Sequence, residues 1–251
     1  MGAPFIGYED LYKSFGAKAV LRGVSLEVRE GETMVILGGS GSGKSVLLRH
    51  TIGLLSPDRG RVTVDGTVVT GLAEEELVPI RKKVGMLFQG GALFDSMSVF
   101  ENVAYALREH TDRTEDEIAS RVREKLGLVE LDPSVEGLMP SDLSGGMRKR
   151  VALARSIALD PRALPYDAPT TGLDPITAHA INVMIRSLQR TLNVTSVVVT
   201  HDIASAFVVG DRIALLHDGE MIFVGGVEEA RNSADPRLRA FLSGGGGVDG
   251  E

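Results

Sequence analysis

The sequence predicts an α/β fold with a mainly parallel sheet, an N-terminal antiparallel β-subdomain and an inserted helical subdomain. Three observations lead there. Short apolar runs such as Thr33–Leu37, Ala163–Asp167 and residues 196–200 recur between helical stretches, and strands alternating with helices imply a mainly parallel sheet. The first seventy residues instead carry alternating strands and a tight-turn signal. From about residue 98 to 159 the pattern becomes helical.

The elements follow in order. Val24-Ser25-Leu26-Glu27-Val28 alternates like a half-buried strand and turns at Glu30-Gly31. The run 33–37 is uniformly apolar, as a buried strand requires, and Val46-Leu47-Leu48 after it opens a helix. Residues 61–69 read as two short strands around Asp65-Gly66, a hairpin signal. Glu74-Glu75-Glu76 is expected at a solvated helix start. Val84-Gly85-Met86-Leu87-Phe88 is expected as a strand opening into a loop at Gln89-Gly90-Gly91. Thr114-Glu115-Asp116-Glu117 resembles a capped helix start, with Ile118, Val122 and Leu126 on one face. Residues 163–167 and 196–200 return to strand. Residues 213–224 form a second hairpin around Asp218-Gly219. Together residues 4–243 are expected to form a single domain with the helical subdomain, about 92–160, inserted in it. Residues 244–251, glycine-rich, are expected to be a disordered tail.

Composition narrows the function. The 251 residues are 43% hydrophobic and 24% charged, the balance of an ordinary globular protein. Lys and Arg number 27 against 34 Asp and Glu, a net charge of −7, which argues against general nucleic-acid binding. There is no cysteine, so disulfides and thiolate metal sites are excluded and a reducing compartment is favoured. No secretory leader is expected at the start. No apolar run reaches the ~20 residues that span a bilayer, so membrane work would need another chain.

Gly38-Gly39-Ser40-Gly41-Ser42-Gly43-Lys44-Ser45 fits G-x-x-x-x-G-K-[ST], the phosphate-binding P-loop. Glycines let the backbone fold tightly so that successive N–H groups converge on an anion. The following helix N-terminus adds a favourable field. Lys44 is expected to reach the β- and γ-phosphates of ATP, and the Ser45 hydroxyl to ligate Mg²⁺. A Gly/Ser linker is the bland alternative, but linkers are not flanked by apolar runs on both sides. The core is thus expected to be that of a P-loop NTPase.

Further motifs follow. Asp167 ends an apolar strand, where a Walker B aspartate would hold Mg²⁺. Leu143-Ser144-Gly145-Gly146-Met147 precedes a helix. At this point the chain resembles the ATP-binding cassette (ABC) family, whose signature is LSGGQ; Met147 departs from it in the last position. The resemblance runs over nearly the whole chain in the family's order. It implies Phe15 as the aromatic on which adenine stacks, the P-loop, and Gln89 as a catalytic and metal-facing residue. It further implies Ser144, Gly145 and Gly146 as a second phosphate site, Gly172-Leu173-Asp174 as the D-loop with Asp174 near nucleotide, and His201 as the switch histidine. It also implies a head-to-tail homodimer with two ATP molecules between the P-loop of one copy and the signature of the other. His50, His110, His179 and His217 show no spacing for a metal and are read as structural or solvated. Arg148-Lys149-Arg150 is expected as an exposed helix face.

One departure bears on chemistry. The family has glutamate after the Walker B aspartate; here the order is Asp167-Ala168-Pro169-Thr170. A methyl group cannot accept a proton, and loss of a general base removes about 10²–10⁴-fold in rate. The chain is therefore expected to bind Mg-ATP well and hydrolyse it slowly. Two accounts fit, a trap built by substitution and a natural degenerate cassette paired with a competent one. Pro165 also lies inside an expected strand, where it lacks an N–H.

Residues 91–110 and 235–242 are similar to the ATPase subunits of maintenance-of-lipid-asymmetry (Mla) phospholipid transporters and their relatives serving MCE-protein systems. That resemblance implies a peripheral location on the cytoplasmic side of the inner membrane. It implies an integral membrane permease as partner, with an MCE lipid-binding protein and a STAS-domain subunit in the same assembly. Two alternatives remain: an import cassette for another solute, and a non-hydrolysing, ATP-dependent regulatory module.

Overall fold

The computed structural model describes residues 4–244; most of the glycine-rich segment expected as a tail, residues 245–251, lies outside them. In chain order the elements are β1 (Ile6–Phe15), β2 (Lys18–Val28), β3 (Thr33–Leu37), α1 (Lys44–Thr51), β4 (Arg59–Val64), β5 (Thr67–Val68), α2 (Glu74–Lys83), α3 (Val99–His110), α4 (Glu115–Leu128), α5 (Gly145–Ser156), β6 (Ala163–Asp167), α6 (Pro175–Leu192), β7 (Thr195–Thr200), α7 (Ile203–Val209), β8 (Arg212–His217), β9 (Glu220–Gly226), α8 (Val227–Arg231) and α9 (Pro236–Leu242). They divide into two compact units. One comprises residues up to Ile80 together with those from Thr195 onward; the other is Arg81–Val194.

The first unit holds an antiparallel sheet in the order β2-β1-β4-β5. It also holds strands in the order β7-β3-β8-β9, of which β3 runs parallel to both β7 and β8. All five residues of β3 and all six of β7 are buried, which is why both read as near-continuous apolar runs rather than alternating ones. The two hairpins turn as expected. Asp65 and Gly66, and again Asp218 and Gly219, both take positive φ, the backbone a two-residue type I′ turn needs. Glu74, Glu75 and Glu76 do open a helix, and all three are exposed.

The second unit packs α3, α4 and α5 pairwise on one another. Two capping boxes fix their starts. Ser98 Oγ accepts from Glu101 N while Glu101 returns to Ser98 N, and Thr114 and Glu117 do the same for α4. Ile118, Val122 and Leu126 are buried together on α4.

Residues 84–88 differ from expectation. They run beside β6 but form only isolated bridges, Val84 with Ala163 and Leu87 with Tyr166. Gly85 N donates to Ala163 O, Leu87 N to Pro165 O and Asp167 N to Leu87 O. The rung between these belongs to the nitrogen of Pro165, which has no hydrogen to give the Gly85 carbonyl. A single proline thus interrupts the ladder. Gly85 is needed for the approach itself, since a Cβ there would lie 2.1 Å from Ser156 O.

Candidate functional site

In the first unit the P-loop leaves the carboxyl end of β3. The loop needs its glycines. A Cβ on Gly38 would sit 2.4 Å from Leu216 O, and Gly41 and Gly43 hold φ at +77° and +103°. Gly43 then leads into α1, whose first turn has neither an acidic residue nor a side-chain cap. Lys44 Nζ folds back on the loop, donating to Gly38 O at 2.8 Å and Gly39 O at 2.7 Å.

Register places the other residues of this unit. Leu37 pairs with Thr200 on one side and Leu215 on the other. The P-loop, the exposed His201 and the β8–β9 turn therefore leave the same edge of parallel strands, the edge at which open α/β sheets bind ligands. Phe15 shares a cavity of about 320 Å³ with Lys18, Gly41, Gly43, Lys44 and Ser45. Its ring is 49% exposed, with Lys13 Nζ 5.6 Å from the centroid. A half-exposed aromatic ring and a phosphate-type loop thus open on one space.

In the second unit Ser144 is the N-cap of α5. Its Oγ accepts from Met147 N at 3.2 Å, and Gly145 and Gly146 are the first helical residues. Gly146 lies against α6; a Cβ there would come 2.8 Å from Thr177 Cγ2. Asp174 caps α6, accepting from Ile176 N, Thr177 N and Thr177 Oγ1 at 3.1, 3.0 and 2.5 Å. These bonds, the Thr177 hydroxyl first, hold its carboxyl below the usual range. Asp167 ends β6 and is buried, 4% exposed. Ala168 follows it with φ at +46°, a backbone that L residues rarely adopt. Gln89 lies exposed beyond the 84–88 segment.

Comparison with known proteins gives these positions a family. The ABC transporter family model matches residues 21–171. The chain belongs to the ABC transporter family. It is 41% identical over 239 residues to the "Probable ribonucleotide transport ATP-binding protein mkl" of Mycobacterium leprae, covering 95% of this chain and 69% of that protein. The Mycobacterium tuberculosis protein of the same name is 42% identical over 93% of this chain, which spans only 65% of that relative's length. It is 40% identical over 242 residues to the "Intermembrane phospholipid transport system ATP-binding protein MlaF" of Escherichia coli, covering 96% of this chain and 90% of that one. Among solved structures, a dimeric ATP-binding cassette in a post-hydrolysis state, bound to ADP and Pi, superposes with a TM-score of 0.82 at 34% identity. That match covers 88% of this chain and 98% of the other.

The ABC family binds ATP, and the chemistry of the donors here fits the Mg²⁺ that accompanies it. Each unit carries hard oxygen donors of its own: the Ser45 hydroxyl at the start of α1 in the first, and the Asp167 carboxylate at the end of β6 with the Gln89 amide in the second. Among the described residues no group of three or more His, Cys, Asp or Glu could hold a metal alone. Mg²⁺ is the ion that takes one or two protein oxygens and completes its shell with phosphate and water.

One residue of this ABC chain was misread from sequence. Lys149 does not lie on an exposed face with Arg148; it is 7% exposed, and its Nζ donates to the backbone carbonyl of Gln89. Helical spacing held the signal, because Ala152 and Leu153 at i+3 and i+4 are buried on the same side.

Proposed function

We propose that this chain is the ATP-binding subunit of a phospholipid transporter, driving a separate membrane permease through ATP-dependent dimerisation of two copies. The observation that carries the reading is likeness to the MlaF proteins over almost the full length of both chains. No helix among the described residues is long and apolar enough to cross a membrane. In this reading the permease is a second chain, and this subunit sits against the cytoplasmic side of the inner membrane. MCE and STAS-domain proteins complete the assembly.

Each copy carries two anion sites of different build, the P-loop with Lys44 and the N-terminus of α5 with Ser144. Two such sites suit one triphosphate held between copies, where it acts as a ligand with strong preference for the closed dimer. Lys44 neutralises phosphate charge. Phe15 stacks on the base, a contact worth ~1–3 kcal/mol. Ser45 of the first unit, and Gln89 and Asp167 of the second, are the residues that would hold Mg²⁺, which would supply charge stabilisation at the transferred phosphoryl group. His201 and Gln89 orient the reacting groups, and Asp174 approaches the nucleotide from the partner-facing loop. Ala168 offers no base for the attacking water, so turnover is slow and the closed state long-lived.

The permease docks in the second unit. A groove of about 460 Å³ there is lined by Arg81, Met86, Phe88, Phe94, Ala106 and Leu159. Phe94 is 42% exposed beside Tyr105, ring centroids 5.1 Å apart. Exposed aromatics on a groove are the kind of anchor that carries binding energy at interfaces.

A second reading has its own support, since the mycobacterial relatives are named for ribonucleotide transport. The deciding experiment purifies the chain with its permease, reconstitutes both in lipid vesicles and follows labelled phospholipid and labelled ribonucleotide side by side. ATP-dependent movement of phospholipid supports the proposal. Movement of the ribonucleotide alone replaces it.

A further inference from the structure

The Gln89 side chain projects from a segment with little conformational preference of its own. Gly90 and Gly91 follow it, Gly91 and Ala92 both take positive φ, and residues 89 and 90 are exposed. Apart from the turn bond that Gly91 N donates to Phe88 O, the contacts that hold this backbone come from side chains of one helix, α5. Lys149 Nζ donates to Gln89 O. Arg155, two turns further on, donates to Gly91 O at 2.7 Å and Ala92 O at 2.8 Å.

Burying an ammonium costs several kcal/mol unless it is well paired, and a Met or Leu would pack at position 149 without that cost. The charge therefore needs an explanation beyond filling space. Its surroundings supply one. Burial pushes the Lys149 ammonium down from its usual pKa, and the Asp167 carboxylate pulls it back up. One cation thus sits between the backbone of Gln89 and the field of Asp167.

We propose that Lys149 is a positioning residue for the nucleotide-bound Mg²⁺, fixing Gln89 from the helix that begins at Ser144. The proposal rests on the reading of Gln89 and Asp167 as metal-facing residues. It adds a mechanical link to that reading. Because Ser144 caps the same helix, any displacement of α5 by a phosphate at its N-terminus moves the Gln89 backbone with it. Groups that orient metal ligands from behind typically cost 10–100-fold in metal affinity when removed.

The test uses the full chain and a fluorescent ATP analogue. Nucleotide affinity is measured in EDTA, and the Mg²⁺ concentration at half-maximal response is measured separately. K149M is expected to raise the half-maximal Mg²⁺ concentration about tenfold, with nucleotide affinity in EDTA unchanged. K149R, which keeps a cationic donor, restores the wild-type value; Q89A shifts it at least as far as K149M. Should K149M fail to fold, K149Q and K149R carry the same comparison, Gln losing Mg²⁺ affinity and Arg keeping it. A shift in Q89A with none in the Lys149 variants overturns the positioning role alone. No shift in either overturns it together with the metal-facing reading of Gln89.

Discussion

The carbonyl of Ala168 accepts a hydrogen bond from the Thr171 amide at 3.2 Å, closing a turn in which Ala168 holds φ at +46°. That conformation costs an L residue about 1–2 kcal/mol, and it costs alanine and glutamate alike. A168E therefore changes the chemistry of the position without adding backbone strain. Phosphate release in Mg-ATP should rise about 10²–10⁴-fold while ATP affinity stays level. An unchanged rate would mean that the base is not what limits this cassette.

Lys44 is held by the Gly38 and Gly39 carbonyls, and in the proposed role it exchanges them for phosphate oxygens. Hydrogen bonds to a charged group are worth about 1.5–3 kcal/mol, so K44A should weaken ATP binding roughly ten- to a hundred-fold. Titration calorimetry reads this directly, and the loss should be smaller for AMP, which lacks the distal phosphates.

Asn102 is fully buried on α3. Its Nδ2 donates to the carbonyls of Phe94, Met97 and Ser98 at 3.1, 3.0 and 3.0 Å, and its Oδ1 accepts from Phe94 N at 2.8 Å. N102A strips those partners at once. Unsatisfied buried groups cost about 1–3 kcal/mol, felt first in the segment that carries Phe94. Thermal melting should show a destabilisation of that order. Permease retention on a tagged column should fall while ATP affinity holds.

His50 is 1% exposed and bonds Val46 O through Nδ1 at 2.7 Å. Burial, the largest cause, lowers its pKa below the ordinary 6.5. The unfolded chain then binds the extra proton first. Stability from this residue is complete above about pH 6.5 and drains away as pH falls toward the lowered value, by at most about 1.4 kcal/mol per pH unit. Melting curves between pH 7.5 and 5.5 should show that slope, and H50L should flatten its share of it.

What could be read from sequence was what is local in sequence. The P-loop announces itself because its glycines, the apolar run of β3 and the start of α1 are contiguous. The Asp218-Gly219 hairpin and the Thr114 cap are legible for the same reason. Lys149 was not, because the group that explains it, the Gln89 carbonyl, lies 60 residues away, and a basic triplet reads as surface until its partner is known. Residues 84–88 were half legible: their apolar character is right for the side of β6, but the missing rung depends on a proline some eighty positions later. Asp174 was read as a nucleotide-facing residue; what the structure shows is a local task, the cap of α6.

The central claim is that two copies close around ATP, the P-loop of one against the α5 N-terminus of the other. The chain has no cysteine, so single thiols can be placed cleanly. The measurement mixes S40C with M147C protein and adds a short bis-maleimide, following the mixed dimer on a denaturing gel. Cross-linking that appears in Mg-ATP and is absent with ADP or without nucleotide is the expected result. A chain that stays monomeric and uncross-linked at saturating Mg-ATP would contradict the account.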